Sequence, residues 1–86
     1  MADVSAYRCV FAEDVADFIV AQPKGKQRRI LMLAKALAQR PQRISDYTVR
    51  DEAGREIENI VLERWVFSYW IDHAVKEVRI VDLVEA

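Results

Sequence analysis

The stretch Trp65-Val-Phe-Ser-Tyr-Trp-Ile71 decides the fold class of this chain. It consists almost entirely of aromatic and β-branched residues, which favour strands. Three further segments have the same character: Tyr47-Thr-Val49, Ile57 to Leu62, and Val78-Arg-Ile-Val81. We therefore predict four strands in the C-terminal half of the chain.

Short connections between these segments indicate hairpins. Asp51-Glu-Ala-Gly54 separates the first two strands, and Gly54 can adopt the positive φ that such turns require. Asp72-His-Ala-Val75 is a similar interruption between the last two. Because hairpins join antiparallel strands, the C-terminal half predicts an antiparallel sheet.

The N-terminal half predicts one strand followed by two helices. Ser5 to Phe11 is rich in β-favouring residues, and we place it in the sheet. Glu13 to Ala21 has helical spacing of its apolar positions, and a second helix follows from about Lys26 to Gln39. Gln22-Pro-Lys-Gly25 separates the two helices, and Pro41 ends the second.

Apolar stripes on the helices predict the hydrophobic core. We expect the following helix residues to be buried: Val15, Phe18, Ile30, Leu33 and Leu37. Their expected contacts on the strands are Ile60, Phe67 and Ile80. The predicted fold is α+β, with an N-terminal strand and a two-helix hairpin packed on one face of a C-terminal antiparallel sheet. The other face of the sheet remains available for function.

Length and composition limit the classes of protein. The 86 residues leave room for one hydrophobic core, so we expect residues 1–86 to form one domain. Cys9 is the only cysteine and cannot form an internal disulfide, and no signal-peptide pattern opens the chain. No apolar run approaches the roughly 20 residues of a membrane span. We expect a soluble cytoplasmic protein without a membrane partner.

Charge is distributed unevenly along the chain, although the net charge is only −1. From Lys24 to Arg43 there are seven basic residues and no acidic residue, while the rest of the chain carries all fourteen acidic residues and six basic ones. A solvated helix face is the simplest interpretation. The imbalance also favours contact with RNA, DNA or an acidic protein segment.

Arginines and aromatic residues on the predicted sheet are candidates for nucleic-acid contact. The basic residues on or near the strands are Arg50, Arg55, Arg64, Lys76 and Arg79. Such residues are commonly the polar half of a strand's alternation, but guanidinium groups also offer paired donors to phosphates. An exposed Tyr69 or Trp70 could stack on a nucleobase, although aromatic residues on strands more often form the core.

His73 is the only histidine and lies in a predicted hairpin turn. An exposed turn residue is the simplest interpretation, and general acid-base catalysis is the alternative. A zinc site needs several Cys or His ligands, and the chain offers only Cys9 and His73. There is no glycine-rich phosphate loop or cofactor fingerprint. We expect no metal and no cofactor, and Cys9 is expected to be a small buried hydrophobe.

The order of strand, two helices and hairpins resembles the RelE/ParE superfamily of bacterial toxins from type II toxin-antitoxin systems. The resemblance covers nearly the whole chain and is most specific in Val49-Arg-Asp-Glu-Ala-Gly-Arg-Glu-Ile57 and from Trp65 to Ile80. It implies a compact toxin that a cognate antitoxin neutralises with an extended or helical segment. It also implies a target that is either the ribosome with its mRNA or DNA gyrase. Separately, the uncovered sheet face and the hairpin edges could accept an extra strand, so we expect association as a homodimer or as a toxin-antitoxin hetero-oligomer.

Active residues of RelE-type nucleases are largely basic and lie on the sheet, often with an Arg and a His or Tyr after the last strand. This chain ends in Asp82-Leu-Val-Glu-Ala86 and lacks that terminal pair. By position and type, the candidates that the resemblance implies are Arg50, Arg64, His73 and Arg79. Arg64 and Arg79 would stabilise charge on the phosphate, and His73 would act as an acid or base.

Three functions remain open from the sequence. The leading hypothesis is a toxin that acts as a metal-free, ribosome-dependent mRNA endoribonuclease, binds RNA and inhibits translation. The alternative is a non-enzymatic, ParE-like inhibitor of DNA gyrase. A RelE-fold binding module without toxicity is the third. Whether the protein is an enzyme is left open.

Overall fold

Residues 7–86 are described by a computed structural model, in which a five-stranded sheet packs against two helices. In chain order the elements are β1 (Arg8–Phe11), α1 (Glu13–Val20), α2 (Lys24–Gln39), β2 (Tyr47–Arg50), β3 (Glu56–Leu62), β4 (Trp65–Asp72) and β5 (Glu77–Glu85). The strands are ordered β1-β5-β4-β3-β2 across the sheet. The α+β class and the element order expected from the sequence are confirmed.

The predicted antiparallel hairpins are present, and the N-terminal strand lies in the sheet. The ladders from β2 to β5 are antiparallel. β1 pairs with β5 in parallel, which the sequence pattern did not indicate, so that Cys9 lies opposite Val78 and Phe11 opposite Ile80. Ser5 and Ala6, the start of the predicted strand, lie outside the described residues.

The helices begin and end close to their predicted limits. Glu13 and Asp14 occupy the first turn of α1, where negative charge favours the helix dipole. α2 begins at Lys24, directly after the extended Pro23 and two residues earlier than predicted. The side-chain amide of Gln27 donates to the carbonyl of Gln22 at 2.9 Å and so holds the connection between the helices. Within residues 7–86, no helix is long and apolar enough to cross a membrane.

One hydrophobic cluster joins the helices to one face of the sheet. Its fully buried members include Ile30, Leu37, Trp65, Phe67, Tyr69, Val78 and Ile80. The prediction that Val15, Ile30, Leu37, Ile60, Phe67 and Ile80 are buried is confirmed. Phe18 and Leu33 are only half-buried and pack against the margin of the cluster.

The opposite face of the sheet, which we call the open face, is not covered by any element within the described chain. Strand alternation places Asn59 and Trp70 on this face, since their sequence neighbours Ile60 and Tyr69 belong to the core on the other side. Ile57 lies two residues before Asn59 and shares its face. The hydroxyl of Ser68 donates to Asn59 Oδ1 at 2.6 Å across the β3–β4 ladder. The open face therefore combines apolar and polar rows.

Candidate functional site

Trp70 on the open face lies beneath two guanidinium groups. The Cζ atom of Arg55 is 4.3 Å from the centroid of the Trp70 ring, and that of Arg79 is 5.7 Å away. A cation within about 6 Å of a tryptophan ring is attracted by the negative face of the ring. We call Arg55, Trp70 and Arg79 the tryptophan site.

The local sequence explains how these three side chains meet. Trp70 lies opposite Arg79 in the β4–β5 ladder, so both project from the open face. Arg55 comes from the β2–β3 turn, where Gly54 has a φ of 80°. Asp51 Oδ1 accepts from the backbone N–H of Ala53 at 3.0 Å and of Arg55 at 2.8 Å. This turn is therefore held by its own hydrogen bonds, and it carries Arg55 to the indole.

A cleft of about 520 Å³ adjoins the tryptophan site, with Val10 and Val81 on its walls. Arg79 donates to Glu77 Oε1 at 2.5 Å, and Arg8 donates to Glu77 Oε2 at 2.6 Å. Arg8, Arg55 and Arg79 thus bring three positive charges against two carboxylates, because Arg55 also forms an ion pair with Asp51 at 3.9 Å, and the excess is one. The arrangement suits an anionic ligand that also presents an aromatic ring.

His73 lies at the same end of the sheet, in the β4–β5 turn. The Tyr7 hydroxyl is 2.8 Å from His73 Nδ1, and the two rings meet edge to face with centroids 5.8 Å apart. A smaller cleft of about 220 Å³ is lined by both His73 and members of the tryptophan site. His73 is exposed, as the turn position predicted, but one of its ring nitrogens is hydrogen-bonded to the Tyr7 hydroxyl.

The other predicted site residues lie in different places. Arg50 is on the edge strand β2 at the same end as His73, and it donates to the carbonyl of Gly54 at 2.8 Å. Arg64 lies in the β3–β4 turn, about 20 Å from Trp70 along the strand direction, and pairs with Glu85 at 3.4 Å. Arg50, His73 and Arg79 therefore share one end of the sheet, but Arg50 projects from the helix-covered face and Arg79 from the open face. Arg64 lies at the other end. Their catalytic roles stay predictions.

Two residues of this region were not among the predicted site residues. Arg55 appeared in the sequence only as one of several basic residues near the strands, yet its position directly after Gly54 could have indicated a fixed side chain. Tyr7 had no such indication, because its contact with His73 joins positions 66 residues apart.

The basic segment from Lys24 to Arg43 is partly neutralised by acids from the sheet. Arg29 forms an ion pair with Glu63 in the β3–β4 turn, and Lys26 pairs with Glu85 at 3.6 Å. The hydrogen bond from Arg29 lowers the pKa of the Glu63 carboxyl and raises that of the guanidinium. Arg28 and Lys35 remain exposed on α2. The positive face is therefore smaller than the sequence indicated.

Cys9 is half-buried on β1, and its thiol donates to the carbonyl of Ala34 at 3.0 Å. Burial raises the pKa of the Cys9 thiol to about 11, which disfavours the nucleophilic thiolate at neutral pH. Residues 7–86 contain no group of three His, Cys, Asp or Glu side chains placed to hold a metal ion.

Comparison with known proteins finds similarity in structure. No protein-family model matches the sequence, and a search of curated proteins finds no relative. A chain of the archaeal RelE-RelB complex from Pyrococcus horikoshii OT3 is 18% identical with a TM-score of 0.70, over 93% of this chain and 94% of that one. A chain of the toxin-antitoxin complex RelBE2 from Mycobacterium tuberculosis is 17% identical with a TM-score of 0.77, over 94% and 92%. The protein has the fold of the RelE toxins.

Proposed function

We propose that the protein is the toxin component of a toxin-antitoxin pair and that a cognate antitoxin binds it. The observation that carries this proposal is the likeness to chains from two toxin-antitoxin complexes over more than nine-tenths of the sequence. The order of strands and helices supports it along the whole described chain.

The open face is the surface that we assign to the antitoxin. Val49, Val61 and Val84 are each about half exposed on it, and exposed apolar patches commonly mark interaction sites. Val61 and Val84 flank Val66, four residues or about 13 Å from Trp70, so an extended or helical antitoxin segment that continued from them along β4 would also block the adjoining cleft. Binding of the antitoxin would then hide the tryptophan site from its target.

RNA is the target that best fits the tryptophan site. Arg55 and Arg79 can donate to phosphate oxygens, and the Trp70 ring can stack on a base. In a cleavage reaction a general base would take the proton of the ribose 2′-hydroxyl, and the 2′-oxygen would attack the adjacent phosphorus. The bond from phosphorus to the 5′-oxygen would break, and that oxygen would leave with a proton from a general acid, while the arginines stabilise the developing charge on the phosphate. His73 is the candidate acid or base. The ribosome would position the mRNA, which such a small site needs.

A non-enzymatic toxin that occludes DNA gyrase is the second candidate. Glu77 is the carboxylate near the cleft, and both of its oxygens already accept hydrogen bonds from guanidinium groups. This favours binding without catalysis, because neither oxygen is left to take part in a reaction. The second candidate is also favoured by the separation of Arg64 from His73 and Arg79. A surface of this kind can bind a protein or a nucleic acid without catalysing a reaction.

Controlled expression separates the candidates. The protein is induced alone and together with the product of the neighbouring gene, growth is followed, and transcript 5′ ends and plasmid supercoiling are mapped. Growth arrest that the neighbour relieves, with codon-phased cuts in mRNA, is expected for the nuclease. Arrest with intact transcripts and impaired supercoiling would favour the gyrase inhibitor. Unaffected growth would indicate a binding module without toxicity.

A further inference from the structure

Strand β2 forms a free edge of the sheet among the described elements. The N–H of Asp51 donates to the carbonyl of Arg55 at 2.9 Å, which closes the β2–β3 hairpin. In an antiparallel ladder every second residue bonds to the neighbouring strand. Val49 therefore bonds toward β3, and Thr48 and Arg50 direct their backbone N–H and C=O groups outward.

The side chains of Thr48 and Arg50 belong to the helix-covered face, because Thr48 lies opposite Glu58, which lies opposite the core residue Tyr69. Beside Thr48 a cleft of about 510 Å³ opens between the strands and the segment 41–46. Its walls include Pro41, Arg43, Ile44, Glu58 and Tyr69.

The cleft contains a buried polar group without a partner. The Tyr69 hydroxyl is inaccessible to solvent and makes no hydrogen bond, although buried hydroxyl groups are nearly always bonded. Burial raises the pKa of the Tyr69 hydroxyl, the carboxylates of Glu58 and Asp46 raise it further, and the guanidinium of Arg43 opposes them. Ser45 donates to Glu58 Oε1 at 2.6 Å and leaves Oε2 available. The cleft thus suits a cationic N–H donor.

We propose that two copies of this chain pair antiparallel through β2, and that Arg50 of each copy enters the cleft of the other. With the two-fold axis at Val49, Thr48 lies opposite the partner's Arg50. Both residues point their backbone groups outward, so this register makes backbone hydrogen bonds on both sides of the axis. The partner's guanidinium then lies beside Glu58, whose Oε2 can accept from it.

A second copy suits this edge because one register fills both clefts at once, as a two-fold interface requires. Arg50 gives up only an exposed bond to the carbonyl of Gly54. Val49, half exposed in the isolated chain, meets its own copy at the axis. A charged residue on a short edge strand usually prevents pairing. In the proposed register the residue opposite Arg50 is Thr48 of the other copy, which carries no charge. The pairing does not depend on whether the protein is a toxin.

The two strands are only four residues long, so the interface belongs to the small, weak class below about 1,200 Å². Sedimentation equilibrium from micromolar to millimolar protein should show a reversible dimer. Val49→Lys opposes like charges at the axis and should raise Kd by roughly tenfold or more. Val61→Lys is the matched control, since Val61 is similarly exposed on the open face, and should leave Kd unchanged.

Two variants test the cleft itself. Arg50→Glu places a carboxylate beside Glu58 and should abolish the dimer. Glu58→Gln should weaken the dimer several-fold without unfolding the monomer, because the amide oxygen can still accept from Ser45 but the negative charge that faces the partner's Arg50 is lost. A protein that stays monomeric at millimolar concentration would overturn the proposal. So would a dimer that tolerates Val49→Lys and Arg50→Glu, a dimer that Val61→Lys weakens equally, or a different peptide bound at β2 of a monomer.

Discussion

The guanidinium of Arg55 lies 4.3 Å from the centroid of the Trp70 ring and so joins the β2–β3 turn to strand β4. This contact covers part of the ring that we assign to nucleobase stacking. A base that stacks on this side of the indole must first displace Arg55, whose guanidinium can then move to a phosphate. Binding of RNA should therefore order or shift the β2–β3 turn.

Replacing Arg79 with Ala should weaken RNA binding and lower the slope of log K against log salt by about 1, because one phosphate contact is lost. Arg64→Ala is the comparison, since Arg64 carries the same charge at the other end of the sheet. Its effect should be smaller. Titration of labelled RNA at several salt concentrations measures both, and equal slopes for the two variants would place the RNA along the whole sheet.

Replacing Trp70 with Leu removes the stacking surface while it keeps an apolar side chain on the open face. We expect a loss of about 1–3 kcal/mol in the free energy of RNA binding. Thermal unfolding should change little, because Trp70 is only half-buried. An unchanged affinity with an intact fold would mean that Trp70 only positions the two arginines, and that charge alone binds the RNA.

Leu37 and Leu33 provide a matched test of the core. Leu37 is fully buried, so Leu37→Ala should lower the free energy of unfolding by about 2–5 kcal/mol. Leu33 packs at the margin of the cluster and is half-buried, so Leu33→Ala should cost clearly less. Urea denaturation gives both values. The reverse order would mean that α2 is rotated about its axis relative to this structure.

The fold followed from the sequence because its signals are local. The β-favouring residues from Trp65 to Ile71 and the turn at Gly54 are signals of neighbouring residues, and both predictions are confirmed. The β3–β4 turn contains no glycine that could have indicated it, because Glu63 adopts the positive φ of 60° there. The parallel pairing of β1 with β5 depends on contacts between distant segments, which periodicity does not report.

The candidate site was less accessible to sequence reasoning. Arg50, Arg64 and Arg79 are alike as residue types, and only their positions on the sheet distinguish them. Arg64 comes one residue before β4, whereas Arg79 lies opposite Trp70 within the β4–β5 ladder. That difference depends on strand register, which is set by tertiary packing.

Burial of Cys9 predicts a pH-dependent stability. The pKa of this thiol rises from 9.0 to about 11 on folding, so the folded state holds the proton more tightly. The resulting stabilisation is complete below pH 9 and is lost as the pH rises toward 11. Urea denaturation between these pH values should show a smaller loss of stability for Cys9→Ala than for the unaltered protein. Alkylation at pH 8 should also be far slower than for an exposed thiol.

The contact between Tyr7 and His73 sets the last prediction. When the Tyr7 hydroxyl oxygen accepts from Nδ1–H, the neutral imidazole has its lone pair on Nε2 and can act as a base there. If the protein cleaves mRNA, His73→Ala should lower the cleavage rate by roughly 10²–10⁴. Tyr7→Phe keeps the ring contact but removes the hydroxyl, so it should lower the rate less and alter its pH profile. Primer extension on ribosome-bound mRNA measures both rates, and an unchanged rate for His73→Ala would remove His73 from the site.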